Sequence, residues 1–523
     1  MLHKDEKELL RTYITKSEPF GPMNASEITE PTARKILFDV HNNLYKSLHK
    51  RPSVVIGRKG SGKTSYLQSS HFDATYDYVY EVDTPRALVG VIEAVEKLSK
   101  GVLYAETVAD LWETVLWIPM LSQLRRELPM AEKNKINAYL AKIGIRSEGT
   151  IDDVLWSIVD VLAEKAKDKP IGIISDILRR TDTISFSDVK TSVTDSLKKE
   201  KKRAAILIDS LEDFHLNVES VAVAVQGLLK CVGRSNTPSS RIDIRFCIPA
   251  EQYYQFDAVS SNHNKDFRRE LVLHWIAPEL LTVAANRLLI YFELHEPDLY
   301  EQHGSYSDFD TKNTNRLFES IFPVTITNRL GISEDPLAYV LRHTQLLPRH
   351  LIMILNSICA RKNRYKPNGG FSLDESSITK GVALVEQGIT SEIFNAYSPT
   401  YPRASKVCSE CITELQHKFS IGDLERVFRT HGKSAMETDD FAQFKRMLIE
   451  IGAVGKVVGE TDRYVRAIFE YTELHKLVTS TDDELCLHPL FTEIFSAKTR
   501  LKKAVYPYGS SASDDDYRNR GDE

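Results

Sequence analysis

The residues whose order speaks most directly of chemistry are Gly57-Arg58-Lys59-Gly60-Ser61-Gly62-Lys63-Thr64, a complete G-x-x-x-x-G-K-[ST] match followed by Ser65. Glycines at 57, 60 and 62 let a chain curl with its backbone N–H groups turned inward, making a cradle for an anion with several oxygens. Lys63 has the length to reach the outer phosphates of a nucleoside triphosphate, and the Thr64 hydroxyl is the hard oxygen ligand that Mg²⁺ takes. The spacing predicts a phosphate-binding loop, with residues 57–65 in contact with nucleotide and Lys63 serving catalysis as well.

A metal-bound triphosphate needs an acidic partner. Ala204-Ala-Ile-Leu-Ile-Asp209 supplies it: a continuous apolar run, as a buried parallel strand requires, ending in a carboxylate. Asp209 is expected at the C-terminal end of a strand beside the loop strand, holding Mg²⁺ through a water together with Thr64. The alternative is that Asp209 caps the following helix. Hydrolysis needs a group that orients the attacking water. Position 210 is Ser, so the next acids are Glu212 and Asp213, with Glu212 favoured for its longer reach. If neither acts, ATP is bound and turned over slowly. No Asn-Lys-x-Asp motif is present to read guanine, which favours ATP over GTP.

The elements that must position these groups follow from the patterning. A strand over Ser53-Val-Val-Ile56 feeds the loop, and a helix starting near Lys63 adds its positive N-terminal end. Further strands fit residues 76–82, 204–208 and 242–248. Between about 85 and 197 the apolar residues recur at helical spacing, among them Leu111, Val115, Leu116 and Met120, then Val154, Ile158 and Leu162. Trp112, Trp117 and Trp156 are expected to pack in that helical region. Lys198-Lys-Glu-Lys-Lys-Arg203 reads as a solvated linker, and helices resume over 278–294 and 336–360. The predicted fold is α/β, a P-loop parallel sheet carrying a helical insertion, a helical lid and a C-terminal winged-helix-like domain. Its expected divisions are an N-terminal helical segment (1–50), the core (51–290, insertion about 85–197), the lid (291–400), the winged-helix-like domain (401–500) and a disordered acidic tail (501–523).

The C-terminal assignment rests on helices over 408–418, 421–428 and 440–451, then strands over 455–458 and 464–469. Gly452 would end the third helix, and Gly459-Glu-Thr-Asp462 would form the wing tip. Lys445 and Arg446 share the third helix region with Asp439, Asp440 and Glu450, while Lys456, Arg463 and Arg466 lie around the wing. That patch is modest beside the basic face of a tight DNA binder, so a protein contact is favoured over DNA.

Composition sets bounds. The 523-residue chain carries a net charge of -5, so no chain-wide basic field steers it to nucleic acid. No run of eighteen apolar residues and no apolar stretch at the start point to a membrane or secretion. Six cysteines make no disulfide framework, and a reduced, cytoplasmic protein is expected. Cys408 and Cys411, without a second pair, read as core or helix-surface residues.

Taken together, the loop and Ile206-Leu-Ile-Asp209-Ser-Leu-Glu-Asp213 resemble the AAA+ and STAND branch of P-loop ATPases, whose second motif often runs on as Asp-Gly-Leu-Asp-Glu. Ser210 and the Glu-Asp order depart from that pattern. Tyr339-Val-Leu-Arg342-His-Thr-Gln-Leu-Leu-Pro348-Arg349-His-Leu-Ile-Met-Ile-Leu-Asn356 resembles a bacterial P-loop ATPase family. So do Leu448 to Gly452 and His488 to Phe491, and the likeness runs from about residue 50 to 495.

The resemblance implies that Arg349 is a sensor arginine of the lid touching the γ-phosphate, with Arg342 a weaker candidate. After the 242–248 strand stands Cys247-Ile-Pro249-Ala-Glu251, so no sensor is carried over there; Glu251 is expected to begin a helix. Arg268 and Arg269 could serve a neighbouring subunit's nucleotide, although a plain surface pair is the simpler reading. The implied function is an Mg²⁺-dependent ATP-binding and ATP-hydrolysing switch that forms a homo-oligomer. It would control a separately encoded effector, because no second catalytic motif is present, and bacterial anti-phage defence is the implied setting. The rival readings are an ATP-dependent DNA loader or remodeller and a non-catalytic scaffold that keeps ATP as a structural ligand.

Overall fold

The computed structural model describes residues 2–38, 52–67, 75–82, 87–92, 105–142, 184–209, 218–237, 239–260, 270–306, 310–360, 371–473, 476–498 and 503–507, with residues 95, 216 and 267 between them. By its contacts the chain divides into two compact units, residues 44–58 with 63–273, and residues 1–43 with 59–62 and 274–523.

The first unit is built on a parallel sheet of β1 (Val54–Gly57), β2 (Tyr78–Val82), β3 (Ala204–Ile208), β4 (Ile242–Pro249) and β5 (Glu270–Leu273), in the order β2-β3-β4-β1-β5. Every residue of β3 and β4 is buried, as apolar runs covered on both faces should be. Two charged residues on β4 break the run and satisfy each other. The Arg245 guanidinium donates to Asp243 at 3.1 Å, to the Tyr76 hydroxyl at 2.6 and 3.0 Å, and to the Pro52 carbonyl. Tyr76 in turn donates to Asp243 at 2.9 Å, so the buried charge keeps its partners.

Helices Ala105–Leu124 and Glu219–Ser235 pack closely where Gly227 lies against Val108; any Cβ at Gly227 would collide with it. The Trp112 indole donates to the Ala224 carbonyl at 2.7 Å, and Trp117 meets Phe186 edge-on at 6.2 Å. Both tryptophans therefore serve packing, as expected; Trp156 lies outside the described residues. The basic run at 198–203 is solvated over its first four residues, Lys198 to Lys201, but is no free linker. Lys198 and Lys199 close the helix Phe186–Lys199, Lys202 donates to the Tyr78 hydroxyl at 2.8 Å, and Arg203 donates to the Ser240 carbonyl at 2.6 Å. These bonds fix the chain where it enters β3.

In the second unit the early residues form an arm on the helices Ala277–His295 and Pro348–Cys359. The buried Arg287, on helix Ala277–His295, donates to the carbonyls of Phe20 at 2.8 Å and Pro22 at 2.6 Å, and lies over the Phe38 ring. Asn356, on helix Pro348–Cys359, accepts from the Phe20 N–H at 2.7 Å and donates to the Gly21 carbonyl at 2.9 Å. The helical pattern over 336–360 resolves into two helices, Pro336–Arg342 and Pro348–Cys359, with Leu346 at φ +49° between them. A small hairpin, β6 (Ile326–Thr327) and β7 (Ser333–Glu334), precedes them.

The C-terminal module has helices Ala404–Cys411, Ile421–Val427 and Phe441–Glu450, the second continuing through a π turn to Met436. Its sheet is larger than the expected ribbon. Strands β8 (Lys418–Ser420), β9 (Val454–Glu460), β10 (Tyr464–Ile468), β11 (Glu484–Leu487) and β12 (Ala504–Tyr506) pair in the order β12-β10-β9-β11-β8. Lys418, expected in a helix, is in β8. The stretch expected as tail contributes β12, which pairs in parallel with β10. At three residues each, both are too short to show a period. Gly452 ends the third helix at φ +72°, as its position suggested.

Cys408 and Cys411 are buried, and burial pushes both thiols up, that of Cys411 to about 12. Among the described residues, no helix is long and apolar enough to cross a membrane. The fold is an α/β P-loop core with a winged-helix-like C-terminal module.

Candidate phosphate-binding site

β1 delivers Gly57 to the C-terminal edge of the sheet, and helix Lys63–Leu67 starts six residues later. Lys63 is only 5% exposed. Its Nζ donates to the carbonyls of Gly57 at 3.0 Å and Arg58 at 3.3 Å, inside the curl of the loop. The Thr64 hydroxyl donates to Asp209 Oδ2 at 2.7 Å, although 145 positions separate the two. Asp209 directly follows β3, so its carboxylate leaves the same edge of the sheet as the loop.

One expectation needs correction. β3 is not beside the loop strand; β4 stands between them, paired to β1 through Gly57↔Pro249 and to β3 through Ile208↔Phe246. Asp209 thus reaches Thr64 from one strand further away. Glu251 and Gln252, in the short 3-10 turn that leaves β4, emerge between the loop strand and the Asp209 strand, and both are buried. Glu251 is the second residue of a 3-10 turn, Ala250–Gln252, and the α-helix itself begins at Tyr253.

The tip of the loop, Lys59–Gly62, groups by its contacts with the second unit. Arg349, near the start of helix Pro348–Cys359, lies on Gly60: a Cβ there would stand 3.0 Å from the Arg349 Cβ and 3.4 Å from its Nε. That Nε is buried and, among the described residues, has no hydrogen-bond partner; Glu392 is 4.0 Å from the guanidinium. The Ser61 hydroxyl is likewise buried without a partner among them. Gly60 and Gly62 adopt φ of +85° and +94°, where a side chain would be strained. A Cβ on Gly62 would meet nothing within 4 Å among the described residues, so backbone conformation and not packing asks for glycine there.

Trp275 is a residue of this site that sequence reasoning passed over. Its indole N–H donates to the Ser61 carbonyl at 2.8 Å, with both residues buried. Beside it, burial holds the His274 imidazole below its ordinary range. A lone tryptophan between a strand and a helix carries no motif, and nothing in its spacing announces a contact with residue 61.

Arg342 is engaged elsewhere. Its fork grips Glu334 at 3.0 Å through both Nε and Nη2, all buried, and the Tyr506 hydroxyl donates to the same carboxylate at 2.6 Å. It is a structural arginine and not a second phosphate sensor. Glu212, Asp213, Arg268 and Arg269 lie outside the described residues.

These groups fit a magnesium-bound nucleoside triphosphate. Thr64 and Asp209 are a hydroxyl and a carboxylate in contact, the sparse oxygen set with which proteins hold Mg²⁺ while it keeps several waters. The buried Ser61 hydroxyl, on the loop itself, is a polar atom for which a phosphate oxygen is a suitable partner.

In the C-terminal module, most of the basic side chains near the second helix and the sheet are answered by acids. Arg426 pairs with Asp423 at 3.0 Å, Lys433 with Asp439 at 2.9 Å, Lys456 with Asp483 at 3.0 Å and Lys503 with Glu460 at 2.7 Å. Lys418 bridges Glu460 and Glu484. Arg446, on the third helix, is exposed.

No protein family matches the chain, and no curated protein matches it by sequence. Among solved structures it is similar to the ORC2 protein of Aeropyrum pernix in ADPNP–ADP complexes. The identity is 12% and the TM-score 0.37, over 87% of this chain and 90% of that one. Cdc6p from Pyrobaculum aerophilum aligns over 92% of this chain and 99% of that chain, at 10% identity and a TM-score of 0.26.

Proposed function

We propose that the chain is an Mg²⁺-dependent ATP-binding switch of the AAA+ and STAND kind. The observation that carries this reading is the 2.7 Å bond between Thr64 and Asp209, which brings a loop hydroxyl and a strand-end carboxylate together beside a buried lysine. Lys63 would leave its two loop carbonyls for the β- and γ-phosphate oxygens, and the loop N–H groups would cradle the rest. Thr64 and Asp209 would hold Mg²⁺, which neutralises charge between the β- and γ-oxygens. By the sequence resemblance Arg349 would offer its guanidinium to the γ-phosphate and so report whether it is present, and its close approach to Gly60 supports that role. Turnover is assigned to a water oriented by an acid following Asp209, Glu212 first and Asp213 second.

The output of such a switch is a change in assembly: ATP promotes a homo-oligomer that controls a separately encoded effector, and bacterial anti-phage defence is the setting that the sequence resemblance implies. The paired basic groups of the C-terminal module favour a protein as its partner over duplex DNA.

Titration calorimetry on the full chain with ATP, ADP and GTP, with and without Mg²⁺, tests the reading. ATP should bind, more tightly with Mg²⁺, and Lys63→Ala should lose that binding. A native chain that takes up no nucleotide sinks the proposal. Light scattering with and without ATP then asks about assembly, and an unchanged mass removes that part alone.

A further inference from the structure

We propose that Trp275 is a positioning residue for the phosphate loop: its indole N–H holds the Ser61 carbonyl and so fixes the direction of the Gly62 N–H, which points the opposite way in the same peptide plane. The proposal rests on the reading of residues 57–64 as a nucleotide site and adds to it a residue that belongs to no motif.

The loop works through the direction of its N–H groups. In a trans peptide the C=O and N–H point opposite ways, and none of the described peptide bonds is cis. Whatever holds the Ser61 carbonyl therefore aims the Gly62 N–H. Gly62 sits at φ +94° and, apart from its two chain neighbours, no atom of the described residues lies within 4 Å of where a Cβ would be, so neither a side chain nor a described wall opposes the peptide's turning over. A reversed peptide would present a carbonyl oxygen to the phosphates in place of a donor, replacing attraction by repulsion.

Trp275 is suited to prevent this. The indole is a donor only, so it can hold a carbonyl and cannot accept from an N–H in the reversed orientation. The bond is 2.8 Å long and shielded, Trp275 being 6% exposed and Ser61 1%. In such surroundings, breaking it leaves two polar groups without water. Trp275 lies two residues beyond β5 and two before the helix Ala277–His295, so its backbone is anchored on both sides.

The test replaces Trp275 in the full chain by benzothienylalanine, which keeps the shape of the ring but puts sulfur in place of N–H, and separately by Phe. Affinity for ATP with Mg²⁺ is measured by calorimetry, and folding by gel filtration and circular dichroism. The isostere should fold as the native chain does and bind ATP about tenfold more weakly, the effect of one shielded hydrogen bond. Trp275→Phe should weaken binding at least as much. If the native chain binds and the isostere binds equally well, Trp275 only fills space and the positioning role is wrong while the nucleotide site stands. If the native chain itself binds no nucleotide, the site reading fails and this proposal falls with it. Should Trp275→Phe not fold, the isostere alone decides.

Discussion

The side-chain amide of Gln345 donates to the Ile451 carbonyl at 2.9 Å, joining the turn just ahead of Arg349 to the end of the third helix of the C-terminal module. A second tie runs beside it, between His488 Nε2 and the Thr344 carbonyl at 3.1 Å. Both bonds are buried. A displacement of Arg349 would therefore be felt by the module through hydrogen bonds that cannot be exchanged for water without cost.

Gln345→Ala should lower stability by about 1–3 kcal/mol, because the Ile451 carbonyl keeps its burial and loses its partner. Gly452→Ala should cost a similar amount: its φ is +72°, and the new Cβ would stand 2.6 Å from Gln345 Nε2. In the double variant the collision with Gln345 disappears while the 3.0 Å approach to Tyr471 Cδ1 remains, so the two losses should sum to more than the combined effect. Urea unfolding of the four chains gives the cycle, and strict additivity would show that the two residues do not interact.

Arg349→Lys keeps the charge but loses the planar fork. Its preference for ATP over ADP should fall about tenfold, with unfolding left nearly unchanged. Gly60→Ala strikes the same contact from the other side, and at φ +85° should cost about 1–3 kcal/mol as well as affinity. Calorimetry with both nucleotides, beside thermal melts, separates the two effects.

Removing Mg²⁺ with a chelator should weaken ATP binding in the native chain by about tenfold or more. In Asp209→Asn and Thr64→Ala that difference should shrink to about twofold, because the pair that meets at 2.7 Å no longer offers both oxygens in the required form. A variant that keeps the full Mg²⁺ effect would place the metal elsewhere.

Tyr506→Phe should cost about 1–3 kcal/mol, since its hydroxyl is one of the donors to the fully buried Glu334. Deleting residues 503–523 should cost more, because the buried Val505 and Tyr506 leave with the whole of β12. Proteolysis of the deletion variant should open the C-terminal module first.

Burial holds His417 below its ordinary 6.5, with Lys418 and Lys503 adding to the effect and Glu460 opposing it. His343 is held down the same way, first by burial and then by Arg342. Between the folded value and 6.5 the unfolded chain binds a proton that the folded chain does not. Stability is then present above 6.5 and is lost as pH falls below it. Melting temperature should decline from pH 7 to 5.5, and His417→Leu should flatten that slope, by at most about 1.4 kcal/mol per pH unit.

Much of this architecture is legible in the sequence, for physical reasons. β1 and β3 announce themselves because strands buried on both faces are apolar throughout, β4 by its apolar residues on either side of Asp243 and Arg245, and Gly57 to Thr64 because phosphate cradling leaves few residue choices. β5 does not announce itself: Glu270 and Val272 lie exposed at the edge of the sheet. Strand order is hidden as well, because nothing local in Ile242–Pro249 tells that it lies between β1 and β3. Trp275 and Gln345 act through single hydrogen bonds to backbone carbonyls, which leave no periodic trace. Arg342 and Arg349 look alike as residues of one motif; only their surroundings divide them, Glu334 for one and Gly60 for the other.

The arm formed by the early residues has a temporal consequence. Phe20 leaves the ribosome long before Arg287, whose side chain takes its carbonyl from 267 positions further on. At roughly 5–20 residues per second, the nascent arm waits on the order of 15–50 s for that partner, and longer for Asn356. Throughout that interval Leu10, Ile14 and Phe20, all buried in the finished protein, lack the helices that will carry Arg287 and Asn356. Early synthesis thus leaves these apolar side chains without their partners, and a slow stretch of codons between Phe20 and Arg287 would prolong that interval.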